Sequence, residues 1–344
     1  MKFKIAQLAP LWIPVPPRTY GGIELMLSLL TEELVKREYD VTLFASGDSV
    51  TDASLEPMTE KGLWLQKLRS PHAVIMRMLD HVYERRGEFD LIHSHAEFFM
   101  YPLLFGGSPV PILTTLHRPL DEEAAKAALA CPEMNFCAIS EDHRRRIEEK
   151  GVKTVGVVYN GLDASKYEFN DHPEDYFLYL SRLNEEKEIM EAIKAANTAK
   201  RKLVIAGNLV GGSEWQYFFN EIQPLLSTPN IKFVGEVDFA EKVRLMKNAQ
   251  ALLFPINRDE PFGLVMIEAM SCGTPIIAYN RGSVPEVVTE GETGYIVQNA
   301  DEMVKAMRKV AKLKRVDCRN RVLENFTLKM MVDRYEEIYE KLLK

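Results

Sequence analysis

Short apolar runs alternate with amphipathic helical patterns from one end of the chain to the other. The runs have the length and the β-branched or aromatic content of buried strands, and helix-like segments separate them. This alternation predicts parallel β-sheets covered by helices, so the predicted fold class is α/β. The strand-like runs are FKIAQLA, DVTLFAS, FDLIHSH, PILTTLH, NFCAIS and VGVVYNG in the first half, and FLYLSR, KLVIAG, IKFVGE, ALLFP, PIIAYN and GYIV in the second.

The two sets of runs predict two doubly wound, Rossmann-like units in tandem. A chain of 344 residues is also too long for one ordinary hydrophobic core. The segment YEFNDHPEDY at 167–176 is polar, contains a proline and shows no periodicity, which is typical of a domain boundary. We therefore place the first domain at 1–168 and the second at 169–326, followed by an amphipathic helix at about 327–344.

Composition narrows the class of protein. The hydrophobic fraction of 46% and the charged fraction of 27% are ordinary for a globular protein, and the net charge of −7 gives no sign of a nucleic-acid partner. No apolar run approaches the ~20 residues that cross a bilayer, and MKFKIAQLAP is too short for a signal peptide. The four cysteines lack C-x-x-C spacing, which favours reduced thiols in a cytoplasmic protein.

Two segments have features that membrane contacts share, one basic and one amphipathic. The basic run HRRRIEEKG at 143–151 is flanked by acidic residues, so we interpret it as a solvated helix face. The helix around 72–86 carries its apolar residues at core spacing, which favours burial over a membrane wedge. We expect no stable membrane anchor.

The segment DEPFGLVMIEAMSCGTPIIA carries the most informative chemistry. A buried strand precedes it, and Gly263 stands where a helix is predicted to begin, so free backbone N–H groups would favour an anion there. On a helix the eight positions from Glu260 to Glu268 span about 12 Å and rotate by roughly 80°, so the two carboxylates cannot share one proton or one metal. They would suit the two ends of a long ligand such as a nucleotide-sugar. The alternative is one acid that complements the helix dipole and one surface glutamate.

The same segment resembles the C-terminal signature of glycosyltransferase family 4, a large group of retaining enzymes with the GT-B fold, in which two Rossmann-like domains face each other across a cleft. Further segments follow that family's order along nearly the whole chain: YGGIE at 20–24, TTLH at 114–117, YNGLD at 159–163, LSRLNEEKEI at 180–189, LVIAGN at 203–208, FVGEV at 233–237 and EGETGYIV at 290–297. The resemblance also implies that the last helix crosses back onto the first domain.

The resemblance assigns the donor to the second domain. Arg182 and Lys187 would stabilise the departing diphosphate, Glu268 would hold the ribose hydroxyls, and Glu260 would hold the sugar hydroxyls. This chain departs from the family in having Ser181 and Glu188 where glycines are usual. The remaining donor-side residues that it implies are Asn208, Val237, Phe262, Gly263, Leu264 and Val265.

The first domain would supply the acceptor site. Gly21 and Gly22 open a predicted helix, and there is no G-x-G-x-x-G to indicate a nicotinamide enzyme. The resemblance places His117 against the anomeric carbon and the phosphate, although a structural histidine is the alternative. His93 and His95 end a strand, but no carboxylate or cysteine completes a metal site at readable spacing. We expect the acceptor loops around residues 10–20, 47–60 and 95–110.

Together with these residues, the resemblance implies a metal-independent, retaining hexosyltransferase that uses a hydroxyl acceptor and one of the family's usual donors, a UDP- or GDP-sugar, with no cofactor. The chain has no D-x-D motif to hold a divalent ion on the diphosphate, and no second catalytic carboxylate is evident in the first domain. Same-face attack therefore fits better than double displacement. Two alternatives stay open: a nucleotide-sugar epimerase of the same architecture, and a non-catalytic sugar-nucleotide-binding protein. The sequence leaves the acceptor, the base and the sugar undefined.

Overall fold

The computed structural model describes residues 2–66, 68–96, 108, 110–131 and 133–344. The chain divides into two compact units, of which the first comprises Met1–Gly161 with Leu328–Lys344 and the second comprises Leu162–Thr327. Most of the predicted acceptor loop at 95–110 lies outside the described residues. Within the described residues, no helix is long and apolar enough to cross a membrane.

The first unit contains a seven-stranded sheet in the order β3-β2-β1-β4-β5-β6-β7, and its paired strands are parallel. The order reverses between β1 and β4, which is the place where open α/β sheets bind ligands beyond the carboxyl ends of their strands. The strands are β1 (Lys4–Leu8), β2 (Asp40–Ser46), β3 (Ser54–Thr59), β4 (Leu91–Ser94), β5 (Ile112–Thr115), β6 (Asn135–Ala138) and β7 (Thr154–Val157).

Strand β3 was not predicted, and its whole range lies within the acceptor loop expected at 47–60. It lies at the edge of the sheet, paired only with β2 among the strands described. Its sequence SLEPMT contains Pro57, which an edge strand tolerates because one side makes no ladder hydrogen bonds. The strand has no fully buried position, and this explains why its apolar signal is weak.

Helices α1 (Gly22–Lys36), α2 (Pro71–Arg85), α3 (Glu122–Leu129) and α4 (Glu141–Glu149) cover this sheet, with 3-10 turns at Leu63–Leu65 and Arg86–Glu88. The side chains that α2 buries are Ile75, Met78, Leu79 and Val82, so the helix packs on the core as predicted. On α4 the arginines form ion pairs with acids of the same helix, for example Arg146 with Asp142 at 2.6 Å. The basic run at 143–151 is thus compensated.

The second unit contains a six-stranded sheet in the order β10-β9-β8-β11-β12-β13, again with parallel pairs and one reversal, here between β8 and β11. The strands are β8 (Phe177–Leu180), β9 (Leu203–Ala206), β10 (Ile231–Gly235), β11 (Leu252–Phe254), β12 (Ile276–Tyr279) and β13 (Gly294–Val297). The helices are α5 (Ile189–Ala199), α6 (Gly212–Tyr217), α7 (Phe239–Asn248), α8 (Leu264–Ser271), α9 (Val284–Val287), α10 (Ala300–Met307) and α11 (Arg315–Asn325). Shorter helical segments are Ala164–Lys166, Glu185–Lys187, Phe218–Ile222, Gln223–Ser227 and Val310–Lys312.

The chain leaves the first unit at Gly161, before the predicted boundary at 168 and 169. The segment after Gly161 already packs on the second unit. Arg319 donates hydrogen bonds to the carbonyl oxygens of Ala164 and Tyr167, at 2.9 and 2.6 Å. The polar composition of 167–176 marks a surface loop, whereas the change of unit depends on these long-range bonds.

The last helix, α12 (Leu328–Leu342), belongs to the first unit. Two of its tyrosines are buried against the sheet. The Tyr339 hydroxyl lies 2.7 Å from His93 Nδ1, and the Tyr335 hydroxyl lies 3.1 Å from Thr115 Oγ1. Buried polar groups need such partners, so these bonds fix where the helix sits on the sheet.

Candidate active site

The loop that follows β8 holds the two predicted phosphate-binding cations. Its first turn, Glu185–Lys187, is capped by Asn184, whose side chain accepts a hydrogen bond from the Lys187 amide at 3.2 Å. The Tyr179 hydroxyl donates to the Lys187 carbonyl oxygen at 3.0 Å. The backbone of Lys187 is therefore held from both sides, while its ammonium group is directed by a separate partner.

That partner is Glu260, whose Oε2 lies 2.8 Å from Lys187 Nζ. Both side chains are 14% exposed, so the ion pair is largely shielded from water. Glu260 comes from the loop after β11, and β11 is the neighbour of β8 in the sheet. The point where the strand order reverses thus brings Lys187 and Glu260 together at one edge, as expected for a ligand site in an open α/β sheet.

Glu188 occupies the place of the second missing glycine. Its φ of 50° and ψ of 43° lie in the left-handed region, which glycine enters without strain and other residues rarely adopt. The side chain is turned toward Asn257, whose Nδ2 donates to Glu188 Oε1 at 3.0 Å. The loop therefore keeps a glycine-like backbone at residue 188, and the Asn257 bond holds the extra carboxylate.

Arg182 is held by a residue that the sequence did not single out. Its Nε donates to Glu214 Oε1 at 2.7 Å, and the other oxygen of Glu214 accepts from the Val210 amide at 2.5 Å. Glu214 is buried at the start of α6, so its carboxylate joins the loop after β8 to the loop after β9. The partners are 32 residues apart, and no local pattern links them.

Glu268 is buried on α8 between two further residues that the sequence did not single out. Its Oε1 accepts from the Tyr167 hydroxyl at 2.9 Å and lies 2.5 Å from Lys242 Nζ. Burial and the Glu268 charge raise the pKa of Tyr167 well above its ordinary value, so the tyrosine remains a hydrogen-bond donor. The two glutamates of the motif therefore have separate lysine partners.

Two glycines with positive φ shape the backbone around Glu260 and the start of α8. Gly263 has a φ of 77° and immediately precedes α8, and a Cβ there would lie 2.7 Å from Met266 Cε. Gly282, which was not predicted, has a φ of 54°, and a Cβ there would collide with the main-chain nitrogen and oxygen of Glu260. The next residue, Ser283, donates its amide to the Glu260 carbonyl at 3.0 Å. The chain after β12 therefore fixes the Glu260 loop from behind.

The other residues predicted for the donor side differ in burial and in backbone hydrogen bonding. Leu264 and Val265 form the first turn of α8, where backbone N–H groups have no partner within the helix. Asn208 and Val237 follow the carboxyl ends of β9 and β10 and are half-buried. The Phe262 ring is buried against Phe326, with centroids 5.7 Å apart. A role for Phe262 in direct contact with a ligand is thus limited to its main chain.

In the first unit, the predicted glycine pair begins α1. Gly21 has a φ of 151°, and a Cβ there would lie 2.8 Å from Pro17 Cβ. Glu24, in the first turn, is buried and bonds its own backbone, and burial raises its pKa to about 7 although the charge of Arg118 opposes this shift. Sequence reasoning had identified no such carboxyl group in this domain, because YGGIE shows the acid but not its burial.

His93, His95 and His117 lie in one row, in which His93 and His95 are buried and His117 is half-buried. Both ring nitrogens of His93 are hydrogen-bonded within the protein, Nδ1 to Tyr339 at 2.7 Å and Nε2 to Thr115 at 2.8 Å. His95 Nδ1 lies 2.9 Å from His117 Nε2. Burial first, and then the neighbouring rings, lower the pKa of all three histidines well below the ordinary value. His117 is therefore neutral at pH 7, so it would meet a ligand as a hydrogen-bonding group rather than as a cation.

Solved structures resemble the whole chain. Sucrose-phosphate synthase from Thermosynechococcus elongatus has a TM-score of 0.84 at 20% identity, with 99% of each chain covered. An Anabaena protein in complex with UDP-glucose has a TM-score of 0.76 at 19% identity, covering 99% of this chain and 100% of its own. Together with the two Rossmann-like sheets, these likenesses define the GT-B fold.

Sequence comparison then gives the family. The model for glycosyl transferases group 1 matches residues 163–326, and the model for glycosyltransferase family 4 matches residues 20–166. A Klebsiella pneumoniae relative, an uncharacterized 41.2 kDa protein in the cps region, is 30% identical and covers 93% of this chain and 96% of its own. Glycogen synthase from Mycobacterium tuberculosis is 24% identical, over 81% and 79% of the two chains. The chain belongs to the group 1, family 4 glycosyltransferases and is a glycosyltransferase.

Proposed function

We propose that this enzyme transfers a hexose from a UDP- or GDP-sugar to a hydroxyl acceptor, with retention of anomeric configuration and without a metal ion. The observation that carries the proposal is the arrangement of Lys187, Glu260, Arg182 and Glu268 around the switch point of the second unit. Glu260 pairs with Lys187, Glu268 pairs with Lys242 and Arg182 pairs with Glu214, a set of carboxylates and cations that suits a ligand with hydroxyls at both ends and phosphates in the middle.

In this proposal Glu268 accepts hydrogen bonds from the ribose hydroxyls. Tyr167 and Lys242 hold its carboxylate in place before the ligand arrives, so little conformational freedom is lost on binding. Glu260 accepts from hydroxyls of the transferred sugar. Lys187, within 2.8 Å of Glu260, would lie where sugar and phosphate meet.

Arg182 and Lys187 would stabilise the charge that develops on the leaving diphosphate. A guanidinium fork and an ammonium group can together hold several phosphate oxygens. Backbone N–H groups of Leu264 and Val265, at the positive end of α8, add to this field. This set of donors, together with the missing D-x-D motif, supports a mechanism that needs no divalent ion.

Same-face attack fits the first unit better than double displacement. The latter needs an accessible, ionised carboxylate as the nucleophile. Glu24 is buried, and its pKa of about 7 leaves much of it protonated at neutral pH. Neutral His117 would instead hydrogen-bond near the reacting carbon, while the leaving phosphate takes the proton of the acceptor hydroxyl.

The UDP part of the proposal draws on a similar structure, since the Anabaena protein was solved in complex with UDP-glucose. The four cysteines are buried free thiols, which supports a reducing, cytoplasmic location. We also propose that the enzyme has no stable membrane anchor.

A donor panel tests the proposal directly. UDP-glucose, GDP-mannose and related sugars would be screened by thermal shift, since ligand at 100 times Kd adds about 2.7 kcal/mol of stability. The stabilising donor is then incubated with an acceptor panel, and the product linkage is read by NMR. An α-linked donor should give an α-glycoside. A β-glycoside would refute retention, and conversion of the donor without an acceptor would indicate an epimerase.

A further inference from the structure

Glu214 has the environment of a residue that holds another residue in place. Its side chain is 7% exposed, against 33% for its ion-pair partner Arg182. Oxygen Oε1 accepts from both Nε and Nη2 of Arg182, at 2.7 and 2.5 Å. Oxygen Oε2 accepts from the Val210 amide at 2.5 Å. The carboxylate is therefore anchored to its own loop through one oxygen and binds the guanidinium through the other.

The main chain around Arg182 is held by the same segment of the second unit. The Leu183 amide donates to the Asn208 carbonyl at 3.0 Å. The loops after β8 and β9 are in close contact, because a Cβ at Gly207 would lie 2.0 Å from the Ser181 carbonyl oxygen. The segment after β9 thus fixes Arg182 through its neighbours in the main chain as well as through its side chain.

An ion pair of this kind can either compete with a ligand for the cation or orient the cation toward the ligand. If Arg182 left Glu214 to reach a phosphate, a buried carboxylate would lose its cation, which is costly where little water can replace it. A guanidinium is a planar fork with five N–H donors, so it can bind a carboxylate along one edge while another edge faces a phosphate. The burial of Glu214 therefore favours a pair that persists when the ligand binds.

We propose that Glu214 is a positioning residue that orients the Arg182 guanidinium toward the leaving diphosphate. The phosphate contact of Arg182 is taken from the proposed function, on which this role of Glu214 rests. Glu214 itself would not touch the ligand. Its effect would lie in turnover, because a charge that is already oriented stabilises the transition state without the reorganisation that a mobile side chain requires.

Glu214→Gln tests this role through the difference between kcat and binding. The substitution keeps the shape of the side chain but replaces one acceptor oxygen by an NH2 group, which cannot accept from Arg182 or Val210. We expect kcat to fall about 10- to 100-fold. Calorimetry should show a change of about threefold or less in Kd for nucleoside diphosphate, since the lost orientation and the removed negative charge act in opposite directions.

Two further variants separate this effect from a loss of stability. Asp175→Asn is the matched control, because it breaks an arginine ion pair of the same unit, with Arg201, before the amino end of β8. Its kcat should stay within about twofold of the wild type. Glu214→Asp keeps the charge but is one methylene shorter, so kcat should fall while the unfolding midpoint stays close to that of the wild type. An unchanged kcat in Glu214→Asp would overturn the proposal.

Chemical rescue gives a readout that a merely structural role would not change. In Arg182→Ala the Glu214 carboxylate keeps its bond to the Val210 amide, so added guanidinium ion at a non-denaturing concentration should bind there and raise kcat about tenfold. In the double variant Arg182→Ala/Glu214→Gln the ion has no counter-charge, and the rescue should be lost. Glu214→Gln should also lower kcat much less in Arg182→Ala than in the wild type, since it acts through Arg182.

Three results would overturn the positioning role alone. A rise of kcat or of diphosphate affinity in Glu214→Gln would mean that Glu214 competes with the ligand. Equal rescue of the single and the double variant, or an equal loss of kcat from Glu214→Gln with and without Arg182, would mean that Glu214 does not act through the arginine. An unchanged kcat in Arg182→Ala is a different failure, because it would refute the phosphate contact in the proposed function and the role of Glu214 with it.

Discussion

Glu260→Gln and Glu268→Gln should separate the two ends of the donor. Each substitution keeps the shape of the side chain and removes one carboxylate from a lysine. The two ion pairs are comparably shielded, with side-chain exposures of 14% and 14% for Lys187 and Glu260, and 15% and 7% for Lys242 and Glu268. Each variant should thus lose a similar stability, about 1–3 kcal/mol.

Ligand binding, however, should respond in opposite ways. In the proposed binding mode, Glu268→Gln would remove a charged acceptor from the ribose hydroxyls, which weakens a hydrogen bond of about 1.5–3 kcal/mol. Affinity for both the nucleoside diphosphate and the intact nucleotide-sugar should therefore fall by roughly 10- to 150-fold. Glu260→Gln releases Lys187 from a competing carboxylate 2.8 Å away. Affinity for the bare diphosphate should stay the same or rise, while turnover of the nucleotide-sugar falls by a similar 10- to 150-fold.

Isothermal titration calorimetry of both variants, with nucleoside diphosphate and with nucleotide-sugar, measures these four affinities. Thermal unfolding midpoints of the two variants serve as the control for stability. If Glu260→Gln weakens the bare diphosphate as much as Glu268→Gln does, the assigned direction of the donor in the site is wrong.

Three further predictions concern Glu24, Gly282 and the absence of a metal requirement. The pKa of Glu24 is raised from 4.5 to about 7, so the free energy of unfolding should fall by about 3 kcal/mol in total as pH rises between those values. Glu24→Gln should remove that fall and give a smaller difference between the unfolding midpoints at pH 5 and pH 8. An unchanged difference would contradict this prediction. Gly282→Ala should lower the free energy of unfolding by about 1–3 kcal/mol and remove most of the activity, because the new Cβ would collide with the Glu260 backbone. Gly211→Ala is the control and should be tolerated, since the space around Gly211 is open. Equal effects of the two substitutions would refute this prediction. Turnover should survive excess EDTA, and a complete loss restored by magnesium or manganese would disprove metal independence.

Most of the fold follows from local patterns. All twelve strand-like runs coincide with strands, because burial on both faces of a parallel sheet selects apolar residues over a short stretch. The exception is β3, whose edge position permits polar residues and Pro57. Local patterns also place Gly263 and the first turn of α8, since a left-handed glycine before a helix is a property of adjacent residues.

Pairings between distant residues could not be predicted in this way. Nothing near Arg182 in the chain indicates Glu214, and nothing near Glu268 indicates Tyr167 or Lys242, because each pair meets only when separate loops converge at the sheet edge. Whether a residue is buried also depends on segments that are distant in the chain. The alternation around His93 places it at a strand end, but the tyrosine that bonds its Nδ1 comes from α12, at the far end of the chain.

The order of apolar and polar residues thus specifies the two sheets and brings the donor-side motifs to one end of their strands. Packing then decides which charges are shielded, which carboxyl group holds its proton and which cation each carboxylate faces. These properties depend on how much water surrounds a group and on its neighbours in space, and a single sequence records neither.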